Sequence, residues 1–359
     1  MTVDSYQLSV ISYQLSVDGS YSSLSPLSSL SFFSALSPTP DSRLPLFIAA
    51  VLDYLIGDPW GFPHPVRVMG WLISQFNYFA FKYLRSERSL YWAGVVLGLG
   101  LILGSGAVSW LMVYAASQVH PLLGLVTDSI LLASCFALRS LRTAAEDVLQ
   151  PLKAGDLVQA RAKLSLYVGR DTQELSAPEI LRAVLETVAE NATDGVMAPL
   201  FYAIASAFIP FINVAFLPLA YKAASTLDSM VGYREAPYTH LGRFSARLED
   251  RLTWLPCRLT VLTLALRSLQ PLYVWQMCQR DAIKDPSPNS GWSECAYAAV
   301  LGVQLGGTNW YRGVAKQKPL LGDAIYPITA EKIQQALQLT RYCFLLWLSL
   351  GIGAIALSR

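Results

Sequence analysis

The sequence predicts an all-α, polytopic membrane protein with long helical loops and broken or re-entrant helices, and three observations carry that reading. Of its 359 residues 53% are hydrophobic and only 14% charged, where an ordinary soluble domain is about 25% charged. Several stretches approach the roughly 20 apolar residues that a bilayer crossing needs. The remaining charges are gathered into a few segments between those stretches. A net charge of +2 with no Lys/Arg-rich run argues against nucleic acid as a partner. Five cysteines (Cys135, Cys257, Cys278, Cys295, Cys343) form no CxxC pair. Neither a disulfide framework nor a zinc site is expected, and they read as small core residues.

Taken in order, residues 1–43 read as a low-complexity, disordered extension, and 44–359 as a single membrane-embedded helical domain. In the extension Ser5–Val10 recurs as Ser12–Val17 ahead of a Ser/Leu/Pro-rich run, a composition that cannot bury a core. It has no Lys or Arg before Arg43, so it lacks the basic region of a signal peptide; it reads as a translated repeat upstream of the true start. Leu46–Ile56 is too short to span and contains Asp53, which suggests a half-helix entering the core. Tyr91–Ala116 has no charge and is the surest span; Gly100 and Gly104 within it have the GxxxG spacing of close helix packing. Leu122–Leu138 is a second span despite Asp128, and Tyr342–Leu357 a shorter third. Met197–Ala220, broken by Pro210, Asn213 and Pro218, and Leu255–Trp275, interrupted by Arg258 and Arg267, read as broken or re-entrant. The link between the first two spans has no Lys or Arg, whereas Arg67, Lys82, Arg85 and Arg88 precede the pair and Arg139 and Arg142 follow it. Both flanks are therefore expected in the cytoplasm of a multi-pass inner-membrane protein.

Four segments carry chemistry-bearing residues. The first, Leu52–Trp60 continuing to Arg67, uses Gly57, Pro59, Pro63 and Pro65 to build a stiff turn that aims Asp58, His64 and Arg67 from the membrane edge. The plainer reading has Asp58 capping the turn and Arg67 pairing with it. The second holds Arg170 and Asp171, then a helix opened by a Ser176/Glu179 capping box. On that helix Glu186, Glu190 and Asp194 share one face, a stripe that suits Mg²⁺ holding phosphates; the alternative is a solvated face on which Arg182 pairs with Glu179 and Glu186. The third supplies Lys222, Asp228, Arg234, Arg243, Arg247 and Arg251, a mixture able to cradle phosphate, although Arg247 and Arg251 could instead pair with Glu249 or Asp250. In the fourth, two prolines and a glycine around Ser287, Asn289 and Ser290 make a stiff loop that can offer hydroxyl, amide and backbone N–H groups to an anion; it is followed by Leu305–Tyr311. No Walker A or Rossmann pattern occurs.

Together these strings resemble the adenosylcobinamide-phosphate synthase family, the membrane enzymes of cobalamin biosynthesis. The resemblance rests on Gly57-Asp-Pro with Pro63–Arg67, Val168–Thr172, Glu190-Asn with Thr193-Asp-Gly195 and Pro199–Phe201, Thr226–Tyr233, Ser245–Leu248 and Ser287–Asn289. It covers roughly 46–323. It implies ATP-dependent joining of the free propionate of adenosylcobyric acid to the amine of aminopropanol phosphate, with Mg²⁺, at a lipid bilayer and in company with other corrinoid-pathway enzymes. For that chemistry Glu186, Glu190 and Asp194 are expected to hold Mg-ATP, and Lys222, Arg234 and Arg247 to neutralise phosphate. Asp228 would orient or deprotonate the amine, with Ser287 and Asn289 beside it, while Asp58, His64, Arg67, Arg170 and Asp171 would contact substrate. The chain departs from the family pattern at Ser225, where an Asn is usual, and at Glu249-Asp250, where an Asp pair is. A non-catalytic membrane sensor would not need the acidic stripe and the basic loops together. A transporter is favoured by the broken helices, but no inverted repeat is visible.

Overall fold

The computed structural model describes residues 41–57, 64–233 and 235–358. Asp58, Arg234 and the repeat-bearing extension lie outside the described residues. The chain is mostly helical: α1 Arg43–Leu55, α2 Pro65–Tyr83, α3 Glu87–Val119, α4 Pro121–Ala133, α5 Leu138–Lys153, α6 Leu157–Leu164 and α7 Ala177–Asn191. A π-turn, Ala192–Met197, joins α7 to α8 Ala198–Ala207; then come α9 Phe216–Val231, α10 Arg243–Arg267, α11 Pro271–Asp281 and α12 Ser290–Leu301. One antiparallel hairpin, β1 Leu305–Tyr311 and β2 Val314–Leu321, precedes α13 Ala330–Leu357.

Three helical stretches are long and apolar enough to cross a membrane: α3, α4 with its bent continuation to Lys153, and α13. His120 joins the first two. Its backbone N–H donates to Ala116 and closes α3, while its Nδ1 accepts the Leu122 N–H at 3.2 Å and opens α4. The hairpin is tight because Gly124 faces Ser117, whose Oγ a Cβ would meet at 1.9 Å. The expected GxxxG pair packs against no other described element: a Cβ added at Gly100 or Gly104 would meet nothing within 4 Å. Gly94 and Gly98, at the same spacing, take that role, one against the Leu241 carbonyl and the other against the Phe244 ring of α10. Spacing alone cannot say which of two successive glycine pairs faces a neighbour.

The Met197–Ala220 stretch is a re-entrant pair. α8 runs for 10 residues, about 15 Å, before the chain turns at 208–215 and returns as α9. The tip meets the first hairpin half-way along it: Asn213 Nδ2 donates to Ser109 Oγ at 2.9 Å and Asp128 Oδ1 at 2.7 Å, and Trp110 Nε1 donates to the Phe211 carbonyl at 3.0 Å. Asp128, fully buried, also accepts the backbone N–H groups of Val214 and Ala215. A carboxylate inside an apolar helix is thus satisfied by the start of α9, where unpaired N–H groups and the helix dipole favour negative charge.

The second interrupted stretch behaves differently. α10 continues unbroken past Arg258 to Arg267, and the break falls at 268–270, where Leu269 takes a positive φ of 59°. Both arginines are absorbed by rings: Arg258 lies 4.1 Å from the Trp292 centroid and Arg267 5.5 Å from that of Tyr342. The other departure is the hairpin, where the sequence suggests only loop. Arg312 and Gly313, both at positive φ, make the two-residue turn that suits strand twist. All five cysteines are buried and unpaired with one another.

Candidate active site

The site is assembled where α7 gives way to the π-turn. Pro199 has no N–H for the Gly195 carbonyl and its ring crowds that carbonyl, so the helix widens just upstream of it. Two hydroxyls stitch the widened turn to α12: Thr193 Oγ1 lies 2.8 Å from Ser293 Oγ, which donates to the Ala189 carbonyl at 2.6 Å. The capping box that starts α7 forms as expected, Glu179 accepting the Ser176 N–H at 2.7 Å and its hydroxyl at 2.6 Å.

The expected stripe then splits. Glu186 is 2% exposed and fully engaged, pairing with Arg170 at 2.5 Å and accepting the Gly306 N–H at 2.9 Å. Arg182 stands 3.8 Å from it and donates to the Gly306 and Thr308 carbonyls of β1. Asp171 accepts the N–H groups of Arg312 and Gly313 at 3.0 and 2.7 Å, and Arg170 donates to Asn309 at 2.9 Å. Arg170, Asp171 and Glu186, expected at substrate or metal, therefore form the clamp that fixes the hairpin. The Arg182–Glu186 pairing, read as the alternative, is present.

Glu190 and Asp194 keep a different company. Burial raises the pKa of both. Asp194 is raised further by Glu249, Glu190 and Asp228 and lowered by Lys222; Glu190 is lowered by Lys318 and raised by Asp285 and Glu186. The two thus link a patch around α9 and α10 to a patch around α12 and the hairpin. In the first patch burial pushes Asp228 up to about 6 and Glu249 to about 7, with Asp250 adding repulsion to each. Glu249 accepts the Thr253 hydroxyl, which is itself 2.9 Å from the Tyr221 hydroxyl. Gly232 is required beside Asp228, since a Cβ there would meet its Oδ1 at 2.1 Å.

In the second patch Glu294 has no exposed surface, and burial pushes it to about 8 although Lys318 sits 3.3 Å away. Its other oxygen, Asp285 Oδ2 and Asn289 Oδ1 are buried with no hydrogen-bond partner among the described residues. Ser287 Oγ accepts the N–H groups of Asn289 and Ser290 and so opens α12, and Asn289 Nδ2 donates to the Asp250 carbonyl at 2.8 Å, tying the two patches together.

Glu190, Asp194, Asp228, Glu249, Asp250, Asp285 and Glu294 are countered by Lys222 and Lys318, with Arg170 also acting on Glu190. The excess of negative charge calls for cations. No three His, Cys, Asp or Glu residues among those described converge closely enough to hold a metal alone. The hard oxygen donors nevertheless fit Mg²⁺, which is usually held by one or two carboxylates plus substrate phosphates.

The remaining expected residues lie apart. Arg243, Arg247 and Arg251 are exposed on α10, Arg247 on the face opposite buried Ser245 and Glu249. His64 caps α2, its Nδ1 accepting the Val66 N–H at 3.3 Å, and Arg67 is exposed. Sequence reasoning left Glu249, Asp285, Glu294 and Lys318 out of the site. A signal existed for Glu294, the only charge in an otherwise apolar or small-residue α12.

Comparison with known proteins agrees in extent with the described helical region. A family profile described as CobD/Cbib protein matches residues 46–340. "Cobalamin biosynthesis protein CobD" of Synechocystis sp. is 54% identical over 307 residues, 86% of this chain and 90% of that protein. Proteins of the same name from Citrobacter koseri and Halalkalibacterium halodurans are 42% and 44% identical over 85% and 80% of this chain, and over 95% and 89% of their own lengths. No solved structure matches.

Proposed function

The chain belongs to the CobD/CbiB protein family, and on that premise we propose that it works in cobalamin biosynthesis as a membrane enzyme acting on corrinoids. The reaction in this reading is ATP-dependent amide formation between the free propionate of adenosylcobyric acid and the amine of aminopropanol phosphate, giving adenosylcobinamide phosphate. The observation that supports it is the acidic cluster flanked by Lys222 and Lys318: it offers oxygen ligands for Mg²⁺, cations for phosphate, and carboxylates close to neutrality for proton transfer.

Mg²⁺, when bound, screens the ATP phosphates and the carboxylates from one another. Glu190 and Asp194, with Glu249, are the residues that would hold it. The corrinoid carboxylate oxygen attacks the γ-phosphorus and ADP leaves, with Lys222 and Lys318 countering the phosphate charge. The amine then attacks the acyl phosphate carbon, inorganic phosphate departs, and the proton released from nitrogen goes to Asp228, whose pKa near 6 suits a base at neutral pH. The site faces the cytoplasm of a multi-pass inner-membrane protein in this reading, on the side carrying Arg139 and Arg142.

The test is an assay of detergent-purified protein with adenosylcobyric acid, aminopropanol phosphate and Mg-ATP. Stoichiometric cobinamide product and ADP are expected; absence of both overturns the proposal. A transport function is disfavoured by the re-entrant tip, which is bonded to Ser109, Trp110 and Asp128 rather than open.

A further inference from the structure

Away from the acidic cluster, a cleft of about 300 Å³ opens where α1, α5 and α13 meet, and its polar lining is mainly guanidinium: Arg139, Arg142 and Arg341, with Glu146 the one carboxylate. All three arginines are exposed, and each touches the cleft's own lining. Arg139 Nη1 donates to the Tyr54 carbonyl at 3.0 Å, Arg142 Nε to Glu146 at 2.8 Å, and the Arg341 guanidinium lies 5.0 Å from the Tyr54 ring centroid. A guanidinium carries five N–H donors in a planar fork that matches phosphate oxygens, and the exposure of all three groups opens those forks to a ligand.

The position of the cleft is informative. Arg341 is the last charge before the apolar run of α13, and Arg139 is the first after that of α4. Tyr54 and Leu55 end apolar α1. In α4 and α13 the change from apolar to charged falls at this cleft, and the C-terminal end of α1 packs there too, the arrangement expected at a bilayer surface. Leu55, Ile56, Tyr342 and Leu345 beside it are exposed, as acyl-chain neighbours would be. We propose that this cleft is a phosphate site, separate from the acidic cluster, that takes the headgroup phosphate of an anionic phospholipid. Basic pockets between helices at this level suit such headgroups, and the volume lies at the bottom of the range for small-ligand sites, too small for a corrin macrocycle. The same fork would also accept a soluble phosphate.

The experiment measures thermal stability of the full chain in neutral detergent while phosphatidylglycerol, phosphatidylcholine or inorganic phosphate is titrated. Wild-type protein is expected to gain stability from phosphatidylglycerol and not from phosphatidylcholine. The double variant Arg142→Gln, Arg341→Gln should raise the half-saturating phosphatidylglycerol concentration about 25-fold, each arginine near the surface adding about one factor of five to anionic-lipid binding. Thr143→Glu, at an exposed lining position, removes no contact and should abolish the effect, which guards against a misfolded double variant. Protection by inorganic phosphate alone, lost in the same variants, keeps the phosphate site but assigns it a soluble ligand. Equal stabilisation of wild type and both variants by phosphatidylglycerol, or none by either anion, overturns the proposal.

Discussion

Two glutamates one helical turn apart, Glu186 and Glu190, illustrate how a single face can hold opposite tasks. Glu186 is matched on both oxygens and belongs to the hairpin clamp; Glu190 sits among carboxylates. Substitution should separate them. Glu186→Gln leaves Arg170 buried without its partner and should cost roughly 3–5 kcal/mol of stability, seen as a lowered denaturation midpoint. Glu190→Gln relieves repulsion and should leave the midpoint unchanged or higher while activity falls on the order of 10²-fold or more; full activity in that variant removes Glu190 from the metal site. The cluster also predicts a pH dependence. Asp228, Glu249 and Glu294 have pKa values raised to about 6, 7 and 8, so the folded chain binds their protons more tightly than the unfolded chain does. The stability they contribute is complete below about pH 4, the ordinary carboxylate range, and is lost as pH rises through 6 to 8. With divalent ions chelated, Tm should fall by a few degrees between pH 5.5 and 8.5, and Mg²⁺ should restore most of it at the upper end; a flat or rising profile in calorimetry contradicts the cluster.

Among the elements, the β-hairpin is the one whose task is most specific. It delivers Lys318 to Glu294, and the clamp from 170–186 holds it there. Lys318→Met should strand a buried carboxylate and destabilise the chain, whereas adding Glu294→Gln should recover folding without recovering activity, the two readouts being a denaturation curve and the ligase assay. The re-entrant pair depends on Asp128 in the same way: Asp128→Ala removes a charged acceptor from three donors, each such bond contributing about 1.5–3 kcal/mol, and the protein should fail to accumulate in membranes. The helices themselves were legible in the sequence, because a charge-free run, a capping box and a proline-broken run each have a local cause. The hairpin was not, because its strands are short and carry two lysine side chains and two glycines that read as loop. The π-turn was not legible either, because α-helical spacing was carried straight through it from Glu186 to Asp194. For the site, the acidic and lysine-bearing segments were visible individually; which carboxylate was fully matched and which stood among its own kind depended on contacts as far apart in sequence as Glu186 and the Gly306 N–H, 120 residues away.

For the whole molecule, the arrangement of spans makes a directional prediction. The five native cysteines are buried, so engineered ones report without background. Val119→Cys, exposed at the His120 turn, should react with a membrane-impermeant maleimide added outside intact cells. Ile283→Cys, exposed near the acidic cluster, should react only after permeabilisation, and Phe211→Cys at the re-entrant tip should react slowly from either side. Labelling of Ile283→Cys in intact cells would reverse the orientation.

The Asp128–Asn213 bond also has a history in time. Its partners are 85 residues apart, and at about 5–20 residues per second the ribosome needs roughly 4–17 s after making Asp128 before Asn213 exists. Throughout that interval the Asn213 amide and the Val214 and Ala215 N–H groups that Asp128 accepts from in the folded chain have not been synthesised. A nascent chain stopped before residue 213 therefore lacks those three donors, and the first hairpin reaches its final hydrogen bonding only after the segment that follows it has been made.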